Sequence, residues 1–329
     1  MSGEVRYAVT DEGLKLPVID VTHPAFAISV TDVEFAAMEE KFLADAKKMG
    51  PLPDSVRAAL KGSFLWSGMA NAAGTFLPGL NTYLLKLGPE NLGEHGKPID
   101  KILAASFPIF TMRLRLQDMA RMLADGLVES LAHDAKKPLL FVNVAGGPAS
   151  DSWNTLILLQ AERPDLLAGR EITVAILDRD QHGPSFGARA VQALCTDSGP
   201  LSGVRPCPVW RHINYLWTET DRLGELLREL RASEAACAIS SEGGLFEYGS
   251  GDEIIANLRQ LREGTPSDAR VVGSVTREGE AMRATRGSDT FATIPRTMEA
   301  FRGLAERGGW RVEKQIDRPY SFHVRLVKS

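Results

Sequence analysis

The 329-residue chain is long for one compact domain, and its 44% hydrophobic and 24% charged residues are ordinary for a globular protein. A formal net charge of −4 with a pI near 5.9, and no dense Lys/Arg block, argue against nucleic acid or an anionic membrane as partner. Cys195, Cys207 and Cys237 form no C-x-x-C pair and are too few for a disulfide framework, which fits a reducing cytoplasm and gives no reason to expect a metal.

The opening "MSGEVRYAVTDEG" has no basic stretch followed by an apolar one, so a secretory signal is not expected, nor is a membrane span. The first ~30 residues read as irregular. "TDVEFAAMEEKFLADAKKMGP" then reads as a helix: Thr31 and Glu34 form a capping box, Phe35, Met38 and Phe42 make one stripe, and Gly50 and Pro51 end it. "DSVRAALKGSFLWSGMANAAGTFLPGLNTYLLKLG" reads as short helices broken by Gly and Pro, and "SFPIFTMRLRLQDMARMLADGLVESLAHD" as a longer one. Residues 1–135 are therefore expected to form a helical N-terminal domain, able to cap an apolar acceptor or to make a homodimer contact.

From about residue 138 the pattern changes. "PLLFVNVA", "EITVAILD", "AACAIS" and "ARVVGSVT" are apolar runs expected of strands buried on both faces, and "RPCPVWRHIN" is a weaker strand. Between them "DSWNTLILLQAE", "PSFGARAVQALC", "TDRLGELLRELRA" and "GDEIIANLRQLREGTP" read as helices. In the last, Ile254, Ile255, Leu258 and Leu261 share a face. "IPRTMEAFRGLAERGG" predicts a helix starting at Pro295 and stopping at Gly308-Gly309. "WRVEKQI" and "SFHVRLVK", joined by "DRPY", must be antiparallel. The expected fold is α/β: a doubly wound, mostly parallel seven-stranded sheet with an antiparallel C-terminal hairpin over residues 136–329, preceded by the helical part.

In such a sheet, ligands sit beyond the carboxyl ends of the strands. The first strand runs into Asn143, Ala145, Gly146, Gly147, Pro148, Ala149, Ser150 and Asp151. This is not G-x-G-x-x-G; Pro148 lacks an N–H, and Asp151 places a carboxylate where a pyrophosphate would otherwise lie. A cationic ligand meets no such conflict. Asp178 and Arg179 come after the second strand, where an acid commonly accepts hydrogen bonds from both ribose hydroxyls, in NAD sites as well.

These residues together resemble the class I S-adenosylmethionine-dependent methyltransferases. That family's first motif, acidic-x-Gly-x-Gly-x-Gly, is matched by Asn143, Ala145, Gly147 and Ala149, with Asn143 at the acidic position. The resemblance implies that Asp178 meets the ribose and that Asn214 and Tyr215 lie near the adenine. It makes "AISSEGG", with Ser240 and Ser241, the fourth motif. "SEGGLFEYGSGDEIIANLRQL" is similar to a segment of leucine carboxyl methyltransferases and of antibiotic-pathway O-methyltransferases. The resemblance further implies S-adenosylmethionine as cofactor and a small-molecule acceptor, methylated at oxygen rather than at nitrogen or carbon.

Methyl transfer needs alignment and sometimes a base. Glu242, just past the fourth strand, is the first candidate to orient or deprotonate an acceptor, followed by Tyr248, Glu247 and His212. Arg113 or Arg115 could clamp the methionine carboxylate. Each has a plainer alternative, as a surface charge, a packed ring or a structural histidine. No G-x-S-x-G elbow, phosphate loop or H-E-x-x-H helix is present, and "CPVWRH" offers two ligands, too few for a metal. Two other functions fit the same fold: an NAD(P)-dependent oxidoreductase, and a binding protein that keeps the fold without transfer.

Overall fold

Strand and helix alternate from residue 139 because each short apolar run is followed by a longer stretch of helical period. A computed structural model describes residues 3–48, 54–72, 75–285 and 292–329. Gly50 and Pro51, expected to end the first helix, lie outside the described residues, as does Gly74.

The first 30 residues are not all irregular. β1 (Tyr7–Val9) and β2 (Lys15–Pro17) form a small antiparallel hairpin. Three residues per strand are too few for alternation to register. α1 (Asp32–Lys48) carries the expected capping box: Thr31 and Glu34 exchange backbone and side-chain hydrogen bonds. Its Phe35 and Phe42 rings pack on Phe107. The broken stretch after it gives α2 (Asp54–Lys61), α3 (Phe64–Asn71), α4 (Gly79–Lys86) and α5 (Pro98–Ala104). The long helix is α6 (Phe107–His133).

The α/β part runs β3 (Leu139–Val144), α7 (Ser150–Glu162), β4 (Ile172–Leu177), α8 (His182–Leu194), β5 (Val209–Ile213), α9 (Thr220–Glu229) and β6 (Ala236–Ser241). It continues with α10 (Leu245–Tyr248), α11 (Gly251–Gly264), β7 (Arg270–Thr276), α12 (Glu280–Thr285), α13 (Met298–Arg307), β8 (Trp310–Asp317) and β9 (Ser321–Lys328). The seven-stranded sheet has the order β5-β4-β3-β6-β7-β9-β8. All neighbours are parallel except β9, which is antiparallel to both β7 and β8. β3 and β6 are buried along their whole length, as central strands covered on both faces must be. α13 starts at Met298, because the Thr297 hydroxyl accepts from Ala300 N and so caps the helix three residues later than Pro295 would.

One core layer lies under α6, α7 and α8, and the other under α9, α11 and α13. α6 packs on α7 and across β6, β7 and β9, so it covers the sheet as well as closing the helical part. Its C-terminus is held by the buried Arg170, whose guanidinium donates to the Leu131, Asp134 and Lys137 carbonyls. The N-terminal segment joins the same layer. Tyr83 Oη donates to Pro17 O and accepts from Ile19 N, and Trp153 Nε1 donates to Ile19 O.

Candidate functional site

β3 ends in a loop that turns the chain tightly into α7. Ala145, Gly147 and Ala149 all take positive φ (58°, 56° and 59°). A left-handed alanine costs about 1–2 kcal/mol relative to an ordinary conformation, and two of them within five residues mark a loop shaped for something other than stability. Gly147 is enclosed by backbone: an L-residue Cβ there would stand 2.5 Å from the Cα of Gly79, at the start of α4. The helical part is therefore seated directly on the loop.

Gly147 N donates to Asp178 Oδ2 (3.0 Å) and Asp180 N to Asp178 Oδ1 (2.9 Å), which fixes the carboxylate at the end of β4. Burial raises the Asp178 pKa, and the two N–H donors offset this only in part. Each carboxylate oxygen keeps a further lone pair. Asp178 lines a cavity of ≈ 700 Å³ over the carboxyl ends of β3, β4 and β6. Glu12 of the hairpin, Phe76, Leu77 and Trp217 wall it as well. Phe76 packs edge-on against Trp217 and Tyr248, each with centroids at 5.1 Å.

At the inner end of the cavity the helical part and the sheet are joined by a buried ion-pair cluster. Lys86 Nζ from α4 meets Glu242 Oε2 at 2.5 Å, and Arg115 Nε from α6 meets Glu242 Oε1 at 2.9 Å. Arg115 Nη1 reaches Glu247 Oε1 at 2.8 Å, and the Ser274 hydroxyl donates to the same oxygen at 2.7 Å. Burial alone would raise the Glu242 pKa, but Lys86 and Arg115 outweigh it and hold the carboxyl below its ordinary value. Burial pushes Lys86 down, and Glu242 opposes this.

A second cavity, ≈ 410 Å³, opens on the other side of this cluster. α3 to α6 give it apolar side chains such as Met69, Leu85, Leu103 and Met112, the hydroxyls of Thr111, Thr276 and Ser321 are among its polar lining, and Arg115, Glu247 and Tyr248 line it as well. Leu77, Thr82, Gly243 and Tyr248 line both cavities and form the wall between them.

The structure divides the residues singled out from sequence into three groups. Ala145, Gly146, Asp178, Arg179, Tyr215, Glu242 and Tyr248 line the larger cavity. Tyr215 turns its hydroxyl away to Asn257 Oδ1 (2.6 Å). Gly147 lies within the loop, against Gly79, and Asn143, Asp151, Ser240 and Ser241 lie behind it. Asn143 Nδ2 donates to Asp151 Oδ1 and Ser240 Oγ, each at 2.8 Å. A Cβ on Gly146 would fall 1.7 Å from Asn143 Oδ1, so the amide is covered by the loop itself. Ser241 Oγ is spent on Val144 O and Leu245 N.

Arg113, His212 and Asn214 line neither cavity. His212 was a candidate base. It is corrected by its place on the exposed edge strand β5, where a ring nitrogen meets Asp178 O at 2.9 Å. Arg113 packs over Gly88, while Arg115 enters the site; residues two apart on a helix do not face the same way. Sequence reasoning did not find Lys86, Phe76, Trp217 or Ser274. Nothing local marks them; each is brought in by tertiary packing.

The sequence matches no family profile and no curated protein. Solved structures resemble the chain in fold. A possible exported protein of Bordetella parapertussis superposes with a TM-score of 0.58 at 14% identity, over 91% of this chain and 97% of that one. The magnesium protoporphyrin IX methyltransferase of Synechocystis, solved with S-adenosylhomocysteine, scores 0.45 at 15% identity over 68% and 88% of the two chains. The mitomycin 7-O-methyltransferase scores 0.41 at 15% identity, over 91% and 74%. A dinucleotide-binding sheet is wholly parallel with the order 3-2-1-4-5-6; here a seventh, antiparallel strand is inserted between the last two. The sheet is the mostly parallel, seven-stranded one with an antiparallel end that the resemblance to class I methyltransferases implied.

Proposed function

We propose that the protein binds S-adenosylmethionine in the larger cavity and methylates an oxygen of a small molecule held in the smaller one. The observation that carries this is that two cavities at the carboxyl end of the sheet share four lining residues, Leu77, Thr82, Gly243 and Tyr248. A donor and an acceptor held on either side of them would come within reach of each other.

The residues present fit that cofactor. Asp178 has lone pairs left for the two ribose hydroxyls and regains by accepting them part of what burial costs it. Leu216 and Trp217, beyond β5, offer an apolar flank to an adenine. Lys86 and Glu242 supply both signs of charge for an amino-acid end. When bound, the cofactor supplies an electrophilic methyl group on a sulfonium. The protein's part is positioning: α4, seated on the loop through Gly79, closes the cavity from above and excludes water.

A dinucleotide fits poorly. The first turn of α7, where a pyrophosphate would bind, is buried, and Ser152 N is already taken by the Asp151 carboxylate at 2.8 Å. Asp178, Asp180 and Glu12 line the same cavity and would repel an anion.

A second reading, a binding protein without transfer, is favoured by one observation: the family's acidic position is Asn143, sealed behind Gly146.

Thermal denaturation tests these readings, since a ligand bound only by the folded chain stabilises it by about 2.7 kcal/mol at a hundred times its Kd. S-adenosylmethionine and S-adenosylhomocysteine should each raise the midpoint, NADH should not, and Asp178→Ala should abolish the shift. A rise with NADH alone overturns the proposal. A rise with both sulfur ligands, but no methylated product from any acceptor offered, selects the binding protein.

A further inference from the structure

We infer that the smaller cavity is built for an apolar acceptor carrying one anionic oxygen, a carboxylate or an acidic phenol, seated against Arg115 Nη2. That this molecule accepts a methyl group rests on the proposed transfer; the anion site does not.

The cavity walls set the body of this molecule. Met69, Leu77, Leu85, Leu103, Ile109 and Met112 form an apolar lining, and ≈ 410 Å³ lies within the range of small-ligand sites. The inner end sets its head group. Among the described residues lining the cavity, Arg115 is the single cation and Glu247 the single carboxylate. Glu247 Oε1 is engaged by Arg115 Nη1 and Ser274. Arg115 Nε and Nη1 are fixed by Glu242 and Glu247, but Nη2 makes no hydrogen bond among the described residues. A Cβ on Gly243 would stand 3.0 Å from Nη2, which places this nitrogen at the wall where the two cavities meet. Two carboxylates thus hold the guanidinium fork rigid while one donor edge stays free, an arrangement preorganised for an oxyanion.

The buried charges here balance: Lys86 and Arg115 offset Glu242 and Glu247. One layer behind, Arg296 is buried and donates only to the carbonyls of Phe246, Gly249 and Ile294, with no carboxylate partner among the described residues. Asp151, close to Lys86 and Glu242, balances that charge when ionised, so the free edge of Arg115, and not a net charge, is what receives an anion. Few proton acceptors reach this cavity. Glu242 is engaged by Lys86 and Arg115 and lines the larger cavity, His212 lines neither, and burial keeps the Tyr248 hydroxyl protonated. A neutral alcohol would need deprotonation, for which Glu247, held through one oxygen by Arg115 and Ser274, is the single carboxylate among the described lining residues. A carboxylate or acidic phenol arrives ionised.

The test is calorimetric titration of the full chain at pH 7, saturated with S-adenosylhomocysteine. The probes are cinnamate, 4-phenylbutyrate and octanoate, each against the alcohol of the same skeleton. At least one acid should bind about tenfold more tightly than its alcohol. Arg115→Lys should reduce that preference to under about threefold. Met112→Trp, which fills the apolar end and touches no ion pair, should weaken the acid about tenfold and leave the S-adenosylhomocysteine affinity within about threefold. The inference is overturned if every alcohol binds as well as its acid, if no probe binds, or if Met112→Trp leaves acid binding intact. If S-adenosylhomocysteine itself does not bind, the same titrations on the unliganded chain decide. A tenfold acid preference that Arg115→Lys reduces, with acid binding weakened in Met112→Trp, then keeps the anion site and rejects methyl transfer.

Discussion

Asn143 and Asp151 face each other in the interior with one oxygen apiece, Asn143 Oδ1 and Asp151 Oδ2, lacking a hydrogen-bond partner among the described residues. Burial, with Glu242 nearby, pushes the Asp151 pKa up from 3.8 to about 6. A carboxyl whose folded pKa is raised binds its proton more tightly when folded. Its contribution is therefore full below pH ~4 and is lost as the pH rises through about 6. The difference is on the order of 3 kcal/mol. Asp151→Asn keeps the oxygen that accepts from Asn143 and Ser152 and has no proton to lose. The variant should gain stability over the parent at pH 7.5 and show little gain at pH 4.5. Urea midpoints measured at both values decide; an equal shift at both would show that Asp151 does not titrate in this range. The sequence marked both residues for the cofactor because they flank a glycine turn. It could not show that their side chains point inward, since that depends on which face of β3 the loop folds over.

At the scale of elements, long periodic segments were legible and short ones were not. α11 has its four apolar residues on one buried face, and α1 has its capping box, because both patterns are local. The β1-β2 hairpin and the late start of α13 escaped notice: three-residue strands carry no periodicity, and Thr297 competes with Pro295 as a start signal. The contact between α4 and the loop after β3 joins residues 68 positions apart and leaves no trace in either segment. It makes a sharp prediction. A Cβ on Gly79 would lie 2.3 Å from the Cα of Gly147, backbone that cannot step aside. A Cβ on Gly303, inside α13, meets nothing within 4 Å. Gly79→Ala should therefore destabilise by about 2 kcal/mol or more and weaken S-adenosylhomocysteine binding as α4 is forced off the loop. Gly303→Ala should stabilise by about 0.5–1 kcal/mol, the ordinary gain in a helix interior, with binding unchanged. Paired thermal scans and titrations would show it, and equal effects would mean that α4 does not rest on the loop.

At the scale of the molecule, the mostly parallel sheet and its antiparallel end followed from the succession of apolar runs and the short last turn, whereas the spatial order of the strands did not. The division near residue 135 has a different physical standing. α6 closes the helical part, yet Met119, Met122 and Leu123 on it are buried in the same core layer as Phe141, Trp153 and Val272 of the α/β part. Lys86 and Arg115 carry the charges that Glu242 needs once it is buried. A carboxylate left in the interior without them costs about 3–5 kcal/mol. A chain of residues 136–329 alone would expose one face of β6, β7 and β9 and strand that carboxylate. The full chain should therefore unfold in one calorimetric transition, with its van't Hoff and measured enthalpies equal. The 136–329 fragment should show no cooperative transition and no S-adenosylhomocysteine binding. Two separable transitions in the full chain, or a fragment that melts cooperatively, would mean that the helical part is an appended module. The side chains that complete the core and neutralise the site come from both parts, so the site is complete only in the whole chain.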